Sequence, residues 1–188
     1  HGALRELADE MSNVATTVND HKLACFAAAF GGIAATDPTH GLSQVERAIE
    51  IYDALHENHF TPYWQLFKAE LHSRLAQHQD VLHAVEQGLS AGRVHSNTHL
   101  DAELLRLKGC ALARSTSGVV ASTPVFNRAL QLSRKQGARL FTLRILRDRL
   151  VYAKDPTSVM QAELRSAWQA SVRRGKHVEH ADIGKLVW

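Results

Sequence analysis

The chain has 188 residues, of which 45% are hydrophobic and only 6% aromatic, and its formal net charge is +3. That length can bury a real core and demands no more than one domain, 1–188. Two isolated cysteines, Cys25 and Cys110, lack C-x-x-C spacing, which excludes a disulfide framework and a cysteine zinc site and leaves them as small buried hydrophobes in a reducing cytoplasm.

In chain order, Leu4 to about Val18 reads as an amphipathic helix. His1 stands where a Met would be expected, so the chain reads as a piece of a longer protein with His1-Gly2 as a cloning scar. His21 to Thr36 follows, ended by Asp37-Pro38, because proline disfavours helical geometry in the residue before it. Its apolar run, Leu23 to Ala35, is shorter than the roughly 20 residues that span a bilayer. It reads as a buried packing helix, and a cytoplasmic protein without membrane contact is expected. Gly41 to Glu57 is its partner, with Leu42, Val45, Ile49, Tyr52 and Leu55 inward. Thr61-Pro62 reads as a capping side chain plus proline at the first helical position. Tyr63 to Ala76 then pairs with Gln79 to Ala91. Asn97 or Thr98 caps Leu100 to Arg114, and Ser115 to Ser122 is a loop. Thr123-Pro124 starts the next helix, Gly137 breaks it, and Ala138 to Ala153 follows. Asp155-Pro156 separates off Ser158 to Arg174, and 175–188 is a tail without a firm assignment. About nine helices and no sheet result.

Small residues recur among these helices. Gly32, Ala69 and Gly109 occupy equivalent places in first helices, 37 and 40 residues apart, and Ile51, Gly88 and Ala129 do so in second helices. Leu104, Leu107, Ala111 and Leu112 share one helical face, as do Phe126, Ala129, Leu130 and Ser133. One helix pair cannot bury its apolar face alone, so such repetition predicts stacking. The period slightly exceeds the roughly 34 residues of a tetratricopeptide repeat. The expected fold is an all-α, tetratricopeptide-like right-handed solenoid of three to four helix pairs.

Little in the chain carries chemistry. Twelve histidines suggest metal binding, but zinc needs three or four convergent ligands. The nearest spacings, His95/His99, His56/His59 and His177/His180, lie at caps, helix ends or in the tail, without an H-E-x-x-H. Gly31-Gly32 lacks the Gly-Lys-Ser/Thr that completes a P-loop. No G-x-S-x-G occurs and neither cysteine has a nucleophile signature. The sequence predicts no enzyme, no cofactor and no metal.

Charge is unevenly spread. Residues 1–95 carry 6 Lys and Arg against 12 Asp and Glu, and residues 96–188 carry 16 against 7. Such a dipole suits steering of an acidic partner or self-association. Arg134, Lys135, Arg139, Arg144, Arg147 and Arg149, with Arg173, Arg174 and Lys176, form the basic surface that nucleic-acid contact would require. Few aromatics and no recognised reading motif accompany it, and Arg144 and Asp148 stand as i, i+4 partners. Nucleic-acid binding by this half is therefore the alternative reading, not the preferred one.

Two blocks, DAELLRLKG and FNRALQLSRKQGARLFTLR, resemble the C-terminal tetratricopeptide region of large bacterial signalling ATPases. In that family the region follows a nucleotide-binding module fused to a class III adenylate or guanylate cyclase or to a winged-helix transcriptional regulator. Ala102, Glu103, Leu104, Arg106, Leu107, Lys108, Gly109 and Leu112 match the first block of the family pattern. Phe126, Arg128, Ala129, Leu130, Gln136, Gly137, Ala138, Arg139, Leu143 and Arg144 match the second. Weaker similarity covers Gly41-Leu42, Pro62-Tyr63, Ala69-Glu70 and Gly88-Leu89. The resemblance spans about three quarters of the chain and departs after Arg144, where Arg147 and Arg149 replace small residues. It implies a regulatory module in a signal-transduction or transcription-regulating protein, with ATPase and effector activities belonging to the parent.

Helical solenoids usually bind through a concave surface lined by first helices. Counting from Ala69 and Gly109, the partner-binding residues expected there are Tyr63, Glu70, Arg74, Glu103, Arg106 and Arg114. Mixed charge with one aromatic suits a protein or peptide segment, or a small polar ligand. The competing reading makes Glu103 and Arg106 an i, i+3 ion pair that merely supports their helix. On the binding reading, reversing Arg74 and Arg106 removes partner capture and leaves stability nearly unchanged.

Overall fold

The structure, a computed structural model, describes residues 2–55, 59–115 and 118–172. Among them the regular structure is nine α-helices with no strand: α1 (Gly2–Val18), α2 (His21–Ala34), α3 (Pro38–Ala54), α4 (Thr61–Arg74), α5 (His78–Val94), α6 (Asp101–Arg114), α7 (Gly118–Lys135), α8 (Arg139–Val151) and α9 (Ser158–Val172). The all-α expectation holds for these residues. The tail, 175–188, lies outside them, as do His56, His177 and His180.

Helix ends follow local chemistry. Asn19, Ala76, Ser96 and Gly137 all take positive φ, from 52° to 65°, just past the ends of α1, α4, α5 and α7. Each is followed by a 6→1 bond: Asp20 N–H to the Ala15 carbonyl at 2.9 Å, Gln77 to His72 at 3.0 Å, Asn97 to Gly92 at 2.8 Å, and Ala138 to Ser133 at 2.9 Å. These are Schellman closures, which satisfy carbonyls that the helix leaves open. Gly137 and Asn19 are residues that such a site accepts readily, whereas Ala76 and Ser96 are not. Ala76→Gly is therefore expected to raise stability by about 1 kcal/mol, read as a higher midpoint in urea. At the other end, the Asp20 carboxylate accepts from Lys22 N–H at 2.9 Å and Leu23 N–H at 3.0 Å to cap α2.

Three boundaries differ from the sequence reading. Asp37 starts α3 instead of ending α2: its carboxylate accepts from Thr39 N–H at 2.9 Å and Pro38 fills the first turn. Phe60, not Thr61, is the residue preceding α4, and no side-chain cap bond forms there. The expected loop at 115–122 is largely helix, because α7 begins at Gly118 and Pro124 lies inside it. Proline there withholds the donor that the Val120 carbonyl would receive. The preceding turn is tied down by the Ser122 and Thr123 hydroxyls, which donate to the Val119 carbonyl at 3.0 and 2.8 Å.

The chain forms two compact units, residues 1–100 and 101–188. In the first, Cys25, Ala29, Val45, Ala48, Tyr52, Trp64 and Leu71 make the core. Rings concentrate there: Trp64 lies 5.0 Å from Phe26 and 5.2 Å from Tyr52 between centroids. In the second, Phe126, Ala129, Leu130, Leu143, Ile145, Leu146 and Leu164 are buried together.

Burial recurs in register through the chain. In α3, α5 and α7 the buried sets are Gly41, Val81 and Ser122; Val45, Val85 and Phe126; Ala48, Gly88 and Ala129; and Tyr52, Gly92 and Ser133. In α2, α4, α6 and α8 they are Cys25, Pro62, Ala102 and Leu143; Ala27, Trp64, Leu104 and Ile145; and Gly32, Ala69, Gly109 and Leu150. Ile51, assigned from sequence to the second-helix series, is 43% exposed, and Ala48, 1% exposed, holds that place. Ile51 stands one residue before the buried Tyr52, a step of about 100° around the helix that turns it away from the buried face. Leu55, expected inward, is also exposed.

Candidate functional site

The six expected binding residues divide between the units and have unequal surroundings. In the first unit, Tyr63 and Glu70 are half-buried on α4, and Arg74 is exposed at its end. The Tyr63 hydroxyl lies 2.6 Å from His99 Nε2, with the rings 5.2 Å apart between centroids. Asn97 completes this corner by donating its amide to the His59 carbonyl at 3.0 Å. Arg74 donates to the carbonyls of Ile33 at 3.1 Å, Ala35 at 2.6 Å and Thr36 at 3.3 Å. A guanidinium there satisfies acceptors left open at the end of α2 and complements its dipole.

In the second unit, α6 and α8 bring charge into the interior. Glu103, Arg106 and Asp148 are 3%, 6% and 5% exposed. Arg106 reaches the Glu103 carboxylate at 2.9 Å, the expected i, i+3 pair, and donates to Asp148 Oδ2 at 2.6 Å. Arg144 donates to the same Glu103 oxygen at 2.9 Å, and Arg147 to Asp148 Oδ1 at 2.7 Å. The other Glu103 oxygen, Oε2, is buried without a hydrogen bond among the described residues. Thus Arg144 and Asp148, read from sequence as partners along one helix, pair with charges on α6, Glu103 and Arg106. Arg114 closes the group, its guanidinium 5.2 Å from the Tyr152 ring centroid, and that ring stacks on Phe126 at 6.3 Å.

Arg106 and Arg74 therefore hold structure together. Reversing both would leave buried acids facing a new acid and uncap α2, so the expectation of unchanged stability is corrected. Asp148 and Cys110 were missed as members of the cluster. Asp148 gave a signal: it stands three residues after Ile145 on the buried face of α8, where a carboxylate needs a cation.

The Cys110 thiol lies 3.3 Å from Asp148 Oδ2. Burial first, then the Asp148 charge, pushes its pKa well above the usual thiol range, and burial also raises that of Cys25. Both thiols are expected to resist an alkylating reagent at neutral pH and to react within minutes in denaturant, as mass spectrometry would show. Rapid labelling of either in the native chain would contradict this burial. Among the described residues no three His, Cys, Asp or Glu side chains come together as a metal site, and no helix is long and apolar enough to cross a membrane.

The basic surface is partly spent internally. Besides Arg144 and Arg147, Arg134 pairs with Glu163, and Arg149 reaches the same carboxylate at 3.5 Å. No protein-family model matches the chain, and no curated protein or solved structure is found similar to it.

Proposed function

We propose that the chain is a non-catalytic binding module, a tetratricopeptide-like array that serves a cytoplasmic bacterial signalling protein by capturing a protein or peptide segment. The observation that carries this reading is the in-register burial of four first-helix and three second-helix faces at steps of about 40 residues. Repeats of this kind exist to display first-helix side chains to a partner. The resemblance to signalling ATPases supplies the setting, and the parent's cyclase or transcription-regulating domain would be the output.

Within the expected set, the roles separate. Tyr63, Glu70 and Arg114 are the side chains assigned to partner contact, while Arg74, Glu103 and Arg106 position the helices that carry them. Internal pairing of Arg106, Arg134, Arg144, Arg147 and Arg149 weighs against the nucleic-acid alternative, since a paired guanidinium has less charge to offer phosphate. Glu70→Lys combined with Arg114→Glu is expected to reduce partner capture about tenfold while the helical circular dichroism spectrum stays unchanged. Undiminished capture, or loss that follows charge reversal at Arg139 instead, would overturn the assignment.

A further inference from the structure

A cavity of about 330 Å³ opens in the second unit among α7, the segment after α8 and the start of α9. Its size lies at the lower end of the range for small-molecule sites. Its existence follows from the chain around it. Phe126 and Tyr152 stack nearly parallel, at 10°, and both line it. The Thr157 hydroxyl accepts from Met160 N–H at 3.2 Å, at the start of α9, and Met160 also lines the cavity. Val119 adds apolar surface, and the turn it belongs to is fastened by the Ser122 and Thr123 hydroxyls.

The polar lining is unequal. Arg149 is engaged with Glu163, whereas Lys154 forms no ion pair and the Asn127 amide no hydrogen bond among the described residues. Asp155 is the one acid in the lining, against Lys154 and the Arg149 guanidinium already held by Glu163. An apolar wall with one available ammonium and one available amide matches a particular chemistry. We propose that this cavity binds a small amphipathic monocarboxylate, with its apolar body between Tyr152 and Met160 and its carboxylate on Lys154 and the Asn127 amide. A neutral ligand would forgo the ion pair with Lys154, and a cation would meet that ammonium's repulsion. The site goes beyond the first-helix reading and does not rest on it, since none of the six residues discussed there lines it.

The chain contains two methionines, which makes the test specific. With carbon-13 methyl-labelled methionine, Met160 reports the cavity and Met11, on α1, serves as an internal control. Phenylbutyrate, its amide and phenylbutylamine are the probes. Phenylbutyrate is expected to move the Met160 signal saturably and leave Met11 in place, with the amide and the amine at least about fivefold weaker. Lys154→Gln should weaken phenylbutyrate by a similar factor without changing the response to the amide or the melting temperature. A Met160 signal that stays fixed to millimolar probe, equal affinity for acid and amide, or a Lys154→Gln chain that binds as before would each overturn the proposal.

Discussion

Gly31→Ala and Gly32→Ala, one residue apart in α2, are expected to shift stability in opposite directions. A Cβ at Gly31 meets nothing closer than 3.9 Å, from the Ala8 methyl and the Gln44 side chain, which is ordinary contact. Alanine there gains helix propensity, about 0.5–1 kcal/mol. A Cβ at Gly32 falls 2.6 Å from the Gly41 carbonyl oxygen and 3.0 Å from Val45 Cγ2. The obstacle is the backbone of α3, which no rotamer change can move, so α2 and α3 must separate. Overpacking of this kind costs about 1–3 kcal/mol. Urea unfolding of the two variants reads both signs, and a neutral or stabilising Gly32→Ala would show that α2 and α3 do not cross at this point. The contact at Gly109 is softer, because its Cβ would meet the Phe126 ring at 2.7 Å and a ring can tilt where a carbonyl cannot.

Arg106→Met is expected to destabilise the second unit by about 3–5 kcal/mol, the cost of leaving a buried carboxylate without its cation. Removal strips Asp148 of its 2.6 Å partner and Glu103 of one of two. Arg147, on Asp148 Oδ1, is more exposed and compensates only in part. Adding Asp148→Leu should recover much of the loss, because Glu103 keeps Arg144 and an apolar pair replaces the orphaned charge. Thermal unfolding of both single variants and the double variant gives the coupling, expected at about 1–3 kcal/mol. Strict additivity would mean that Arg106 and Asp148 do not depend on each other.

Helix content and the repeat were legible because they rest on local signals. Gly32, Ala69 and Gly109 were placed correctly in register, since small residues at a fixed period mark close helix contacts. Register slipped at Ile51, where a β-branched residue in an apolar stretch looks as inward as Ala48, three positions away. The start of α7 was misread because Thr123-Pro124 has the same sequence as a helix entry. Only the Gly118 turn and the hydroxyl bonds of Ser122 and Thr123 to Val119 show that the helix is already under way. The charged residues were hardest. Glu103 and Arg106 were visible as an i, i+3 pair, but their burial depends on α8 bringing Asp148 and Arg144 across some 40 residues of sequence, which helical spacing does not encode. Arg74 is similar: its acceptors are carbonyls at the end of α2, and no pattern of side chains announces them.

Whether the chain recognises protein or nucleic acid is tested most directly by fluorescence anisotropy of labelled duplex and single-stranded oligonucleotides, titrated with the chain across a salt series. With five arginines of the basic half paired to carboxylates, the expected result is binding no tighter than about 1 μM at roughly 0.15 M salt, the level of non-specific phosphate contact. Submicromolar binding with a steep salt dependence would contradict it and make the basic half the working surface.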